Sequence, residues 1–384
     1  MSLFTAMTVA SLLVSGMGVA ILGSVKMTLA RRLEIDETRV GGMVSVFGFV
    51  MIPVIFAAGF LTDLLGKPGV LMGGSLLMAA SLVLLARARD YWTGFTAVVI
   101  SSAGWSALIN VGNTLTPLAF PGSMAFAQNL GNVFFGAGAF LTPLIIATLL
   151  RRASFTIALS TLAVIAAVPA VLALGVDFKA LAPISSTASS DTATSPAGFG
   201  TLLGDPVMWL CGFTLFFYAP LEACTSAWAT TYLGERGVAE ATASKLLSAF
   251  WLTFMAARLI TALTLPTGRE TVLICVMAVL SVCVLIGFVV SRTGMSAAAM
   301  VVAAGFVFGP IFPTLMAVLL GHFAASVHGR AVGVLFGIGG VGWSVVPILI
   351  GAYAGRTSVQ RGFLIAVGSA VGLTVVALAL ARLQ

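Results

Sequence analysis

Charge is what this sequence has least of. Only 8% of its 384 residues are Asp, Glu, Lys or Arg, against about 25% in an ordinary soluble domain. That scarcity excludes a water-soluble globule, because too few polar groups exist to cover its surface. Histidine occurs twice and cysteine four times. Cys211, Cys224, Cys275 and Cys283 are spread through apolar segments, which argues against a disulfide framework or a metal site and for small buried hydrophobes. A Walker-type phosphate loop, a Ser–His–Asp arrangement and a pair of neighbouring carboxylates are all missing, so neither direct ATP coupling nor an enzyme activity is expected. No cofactor is implied.

What is present is apolar length. The composition is 60% hydrophobic with a mean hydropathy of +1.13, and runs of 18 or more apolar residues recur throughout, each long enough to cross a hydrocarbon core of about 30 Å. Twelve spans are expected, near 4–30, 40–61, 68–86, 93–118, 123–150, 153–175, 203–233, 241–264, 270–291, 296–320, 330–354 and 360–381. The first span lacks a basic leader and a small-residue cleavage site, so it reads as a retained helix. Forty-two glycines suit closely packed membrane helices. The formal charge of +7 comes from cations scattered over loops, which suits lipid headgroups and not nucleic acid.

One segment breaks the apolar pattern. SSTASSDTATS (185–195) has eight Ser or Thr in eleven residues, cannot form a core, and reads as a linker. The expected organisation is a six-helix bundle over 1–176, a polar cytoplasmic linker over 177–200 and a second six-helix bundle over 201–384. FGAGAFLTP (135–143) and FGIGGVGWSVVP (336–347) echo each other at an offset of 201 residues, close to half the chain, as duplicated transporter halves would.

The loop GFLTDLLGKPG (59–69) combines Gly59 for close helix contact, Asp63 where a carboxylate can face a helix N-terminus, Gly66 for a sharp turn, and Lys67. It resembles the signature loop of the major facilitator superfamily, with Leu64 where that family usually has a base. The resemblance implies an all-α membrane protein of twelve helices in two pseudo-symmetric six-helix bundles. It also implies a loop on the cytoplasmic side and both termini in the cytoplasm, and it treats RLITALTLPTGRE (258–270) as a decayed second copy that keeps Arg258. Loop charge argues the other way. Under that orientation five basic residues face inward and twelve outward, against the positive-inside rule.

Four further segments resemble the fucose–proton symporter-like sugar transporters: NLGNVFFGAGAFLTPL (129–144), FFYAPLEACTSAWATTYL (216–233), FWLTFMAARL (250–259) and GPIFPT (309–314). That branch can carry one acid in helix one and another in helix four. Here AILGSVK (20–26) has none, and Ile109 stands where the second is expected.

Glu222 is the acid that stands out, placed within an otherwise apolar span. A mid-membrane carboxylate costs roughly 2.5–3.5 kcal/mol on insertion scales, so it must face a bundle interior or a wet cavity. Tyr218, Glu222 and Thr225 or Ser226 share a helix face, with Trp228 and Tyr232 beside them. Glu222 can serve as solute acceptor, proton carrier or both, or else pair structurally with Lys26 or Arg258. Asn110, Asn113, Gln128, Asn129 and Asn132 supply amides that donate and accept as hydroxyls do, and Trp105, Trp228 and Trp251 offer faces for stacking.

The expected function is secondary transport of a small polar solute, most simply a sugar, by rocking two bundles of a monomer in the inner membrane. Glu222 is the candidate coupling group and the proton the candidate ion. Substrate contact is assigned to Glu222, Lys26, Trp105, Asn110, Asn113, Gln128, Asn129, Asn132, Tyr218, Trp228, Tyr232 and Trp251, and gating to Gly59, Asp63, Gly66, Lys67 and Arg258. Two alternatives stay open: an organic anion transporter with Lys26 as counter-charge, and a facilitator with no coupling.

Overall fold

Capping side chains mark where the helices begin. In a computed structural model that describes residues 2–178 and 199–383, Ser2 caps α1 (Leu3–Arg32), Asp36 caps α2 (Glu37–Leu65) and Asp90 caps α4 (Tyr91–Ala119). Ser154 caps α6 (Phe155–Ala173), Asp205 caps α7 (Pro206–Gly234) and Ser358 caps α12 (Val359–Ala381). Each accepts a hydrogen bond from an N–H that the first helical turn would otherwise leave bare. The exposed Asp90 carboxyl is held below the usual carboxylate range by the Thr93 hydroxyl and N–H, so it carries charge at the membrane surface.

The other helices are α3 (Lys67–Arg87), α5 (Met124–Arg152), α8 (Glu240–Thr264), α9 (Glu270–Val290) and α11 (His328–Ala354). A six-residue helix, Phe199–Gly204, precedes α7. The tenth span, α10, runs as two pieces, Gly294–Phe308 and Ile311–His322. Among the described residues all elements are helical, and twelve spans are long and apolar enough to cross a membrane. The Ser/Thr-rich stretch 185–195 lies outside the described residues.

The chain forms two compact units. The first comprises Met1–Gly122, Gly131–Gly198 and Phe323–Val334; the second comprises Ser123–Leu130, Phe199–His322 and Leu335–Gln384. Most of each comes from one half of the sequence. However, the N-terminal ends of α5 and α11, which correspond under the 201-residue offset, each pack into the unit built mainly by the other half.

The glycine echo has a packing reason in each unit. In the first, a Cβ on Gly138 of α5 would run into the backbone of Leu13 in α1, and one on Gly16 into the backbone of Phe135. In the second, a Cβ on Gly342 of α11 would overlap the backbone of Phe216 in α7, and Gly339 sits on Leu215. Small residues bring backbones close where lipid supplies no hydrophobic drive. Polar groups at the helix ends then tie loops together. Arg32 donates to the carbonyls of Ala86 and Ala88 at 3.0 Å each and lies over the Phe155 ring, joining α1, α3 and α6. In the second unit Gln360 donates to Val289 and Ser291 carbonyls, while Glu235 accepts from the N–H of Val359.

Gly138→Val and Gly342→Val should each lower the thermal unfolding midpoint of the detergent-purified protein by several degrees. Gly23→Val, at a position facing open space, should leave it in place.

Candidate functional site

Two prolines create the site. GPIFPT places Pro310 and Pro313 at the break of α10, and proline has no N–H to give. The carbonyl of Gly309 would be bonded by residue 313 in a continuous helix, so it loses its partner. In hydrocarbon such a group must find another donor. Arg258 of α8 supplies one, with Nε 2.8 Å from the Gly309 oxygen. The neighbouring Phe308 carbonyl receives the Tyr218 hydroxyl of α7 at 3.0 Å. Tyr218 is 1% exposed and Arg258 3%, and the Arg258 guanidinium rests on the Phe254 ring at 4.2 Å.

Glu222 completes the cluster. Its Oε2 lies 3.1 Å from the Tyr218 hydroxyl, one helical turn away. Arg258 acts electrostatically on both Glu222 and Tyr218. Unlike its two partners, Glu222 is only half-buried. Further along the same face, the Thr225 hydroxyl and the Trp228 indole N–H are buried with no acceptor or donor among the described residues. Trp228 itself is half-buried, its ring packed against Gly351 of α11.

Sequence reasoning gave Arg258 two places, among the gating residues or as a structural partner of Glu222; the structure buries it in the second unit, where it acts electrostatically on Glu222. The signal for that was the pair of prolines, which announces a carbonyl in need of a donor.

The Gly59–Lys67 loop works in the first unit. Asp63 accepts from the N–H groups of Gly329 and Arg330 at 3.0 Å each and pairs with Arg330 Nε at 2.8 Å, at the N-terminal end of α11. A carboxylate there meets bare N–H groups and the positive end of the helix dipole. Gly59 is needed because a Cβ would overlap the Gly329 carbonyl, and Gly66 turns the chain at φ +82°. Lys67 opens α3. Asn110 belongs to the same cluster: it donates to the Gly329 carbonyl at 2.9 Å and accepts from Thr62 at 3.0 Å.

Other residues nominated for solute contact have bonds within their own bundle. Trp105 is 6% exposed, donates to the Ser15 carbonyl at 2.8 Å and packs against Phe47. Tyr232 is fully buried, donates to the Phe288 carbonyl at 2.9 Å and stacks on that ring. Asn113, 1% exposed, donates to the Ile109 carbonyl at 2.8 Å. Asn129, on the α5 segment that packs into the second unit, donates to Thr314 at 3.1 Å and Ala125 at 3.0 Å. Gln128 is fully buried beside it, and Asn132, in the first unit, is 4% exposed. Trp251 packs its half-buried ring against Phe250 and Phe254, and Lys26 is half-buried on α1. The clearest polar face left is that of Glu222, Thr225 and Trp228. Thr62, Thr314, Arg330 and the two α10 carbonyls escaped sequence reasoning.

Comparison with known proteins bears on the whole chain. The sequence model of the Major Facilitator Superfamily matches residues 8–347. The chain belongs to the major facilitator superfamily. Members of that superfamily are transporters and not enzymes, and this one is an integral, multi-pass membrane protein of twelve helices. Its fold is similar to that of the E. coli fucose:proton symporter FucP, at 15% identity over 99% of each chain with a TM-score of 0.74. It is also similar to the human organic anion transporter MFSD10, at 14% identity over 98% of this chain and 99% of that one, TM-score 0.80. In sequence it is 28% identical over 182 residues to the Saccharomyces cerevisiae protein "Bypass of stop codon protein 6". That alignment spans 44% of this chain and 36% of the yeast protein.

Asp63→Ala removes one partner of a mostly buried ion pair and two helix-end acceptors. It should cost about 2–3 kcal/mol in denaturant unfolding of the purified protein.

Proposed function

We propose that this superfamily member is a secondary transporter of a small polyhydroxylated solute, moved by alternating access, with Glu222 as the group that couples proton to solute. The observation that carries the reading is the half-buried carboxylate of Glu222, tied through Tyr218 to the break in α10. An intramembrane acid is a functional group by default. Here its charge state bears directly on Tyr218: the carboxylate accepts that hydroxyl, and a carboxylic acid gives it a poorer acceptor. Taking up a proton therefore loosens the Tyr218 bridge and shifts its hydroxyl toward the Phe308 carbonyl. Solute hydroxyls would be met by Glu222, Thr225 and the Trp228 N–H, with Gln128 and Trp251 as further candidates.

Two considerations support this. FucP, which shares the fold, is a fucose:proton symporter by its own description. The hydroxyl of Thr225 and the indole N–H of Trp228, both without a partner among the described residues, suit hydroxyl groups. The first and fourth helices have no acid at the positions where such symporters can carry one, which favours the second reading, a facilitator with no coupling. The proposal includes two six-helix halves, 1–176 and 201–384, joined by 177–200. It includes a monomer in the inner membrane with both termini cytoplasmic.

A solute can be found by thermal-shift screening of sugars and sugar acids. In proteoliposomes with an imposed pH gradient, the wild type should accumulate that solute. Glu222→Gln should exchange it across the bilayer with accumulation reduced tenfold or more. Accumulation by Glu222→Gln at the wild-type level ends the coupling role, and exchange without accumulation in the wild type itself favours a facilitator.

A further inference from the structure

The second unit holds a cavity apart from the Glu222 face. Thr267 of the α8–α9 turn, Glu270 at the start of α9, Val318 and His322 of α10 and Met124 at the start of α5 line a space of about 370 Å³, all within that one unit. The size falls within the range of small-molecule sites, about 300–1,000 Å³. Thr267 and His322 are exposed, so the space opens to the surface. Buried Val318 and half-buried Met124 give it an apolar wall.

Its polar lining is set for a cation. Glu270 is half-buried, and no hydrogen bond or ion pair among the described residues reaches its carboxylate. Arg269 beside it is exposed and makes no ion pair with it. The imidazole in the lining is taken by another acid: His322 Nε2 lies 2.9 Å from Asp205 Oδ2. The second piece of α10 ends at His322, and the bare carbonyls of a helix C-terminus carry partial negative charge. A place in the first turn of α9 accounts for an acid, because a helix N-terminus favours one. It does not account for a carboxylate left without a partner in an open cavity beside a carbonyl end.

The internal duplication shows what this corner lacks. Gly66 and Gly268 turn the chain at φ +82° and +80°, ahead of α3 and α9. In the first unit the acid near that turn, Asp63, meets a cation of the same chain, Arg330 Nε at 2.8 Å. At the 201-residue offset Arg330 corresponds to Asn129, a neutral residue that donates to Thr314. The second unit therefore has an acid near the turn and no arginine from α5 to meet it. We propose that this cavity binds a primary ammonium group, of a soluble amine or of a lipid headgroup, with Glu270 as its counter-charge. The Glu270 carboxylate, the Thr267 hydroxyl and the carbonyl end of α10 accept its N–H groups. The carbon chain that bears it lies along Met124 and Val318.

The test uses the full chain and needs no transport assay. Detergent-purified protein is titrated calorimetrically near neutral pH with ethanolamine and with choline, whose quaternary nitrogen has no N–H to give. Ethanolamine should bind about tenfold or more tightly than choline, and Glu270→Gln should weaken ethanolamine about tenfold. Native mass spectrometry of protein released from bilayers of equal phosphatidylethanolamine and phosphatidylcholine reads the lipid source. Wild type should retain the ethanolamine lipid, and Glu270→Gln should lose most of it. Retention of that lipid without binding of free ethanolamine assigns the ammonium to a headgroup; the reverse assigns it to a soluble amine. Without ligand, Glu270→Gln should unfold within about one degree of wild type, because it removes no partner. Thr267→Phe fills the cavity from an exposed position and should weaken binding to the same degree. No binding in either arm, binding indifferent to both substitutions, or choline and phosphatidylcholine held as well as the primary amines would overturn the inference.

Discussion

A carbonyl oxygen in hydrocarbon must have a donor, and much of the second unit is arranged around that requirement. Pro310 and Pro313 interrupt α10, and Pro313 denies a helical donor to the Gly309 oxygen. Arg258 and Tyr218 reach across from neighbouring helices to serve the break. Burying a guanidinium has its own cost, which the carbonyl, the Phe254 face and the nearby carboxylate of Glu222 offset. The glutamate that looked anomalous in the sequence is thus part of a chain of compensations that starts with the missing N–H of Pro313. Glu222 is partly exposed, where Tyr218 and Arg258 are buried.

The first unit meets a related need at a helix end. Asp63, Asn110 and Thr62 surround the opening turn of α11, with the carboxylate on two backbone N–H groups and the amide on a carbonyl. Its counterpart in the second unit is sparser: Asn129 near the start of α5 meets Thr314 of α10 through one neutral hydrogen bond. Asn110 and Thr314 occupy corresponding stretches of the two sequence halves, the fourth and tenth spans. The duplicated plan therefore persists in the polar contacts even where the segment 258–270 has no aspartate.

Much of the architecture was legible from local patterns. Twelve apolar spans, the glycine echo and the Gly59–Lys67 signature each rest on residues close together in sequence, and twelve spans are present. The break in α10 was missed although GPIFPT was in view, because an apolar run looks unbroken until the missing N–H groups are counted. Asn110 read as a solute amide and Trp105 as a stacking surface because a polar or aromatic side chain in an apolar helix advertises a need for a partner without naming it. Their partners, Gly329 and Ser15, lie 219 and 90 residues away. Arg258 stayed open between gating and a pairing with Glu222 for the same reason: distance along a helix predicts depth in the membrane, not which neighbour faces the side chain.

The reciprocal placement of the α5 and α11 starting turns has a consequence for biosynthesis. Asp63 acquires Arg330 only after 267 further positions have been made, so the bundle begun at the N-terminus waits, incomplete at one corner, until the eleventh helix leaves the ribosome. During that interval a bare carboxylate and the Gly59 notch stand open to any passing chain. Severing the two halves genetically would leave each fragment without the few residues that finish it.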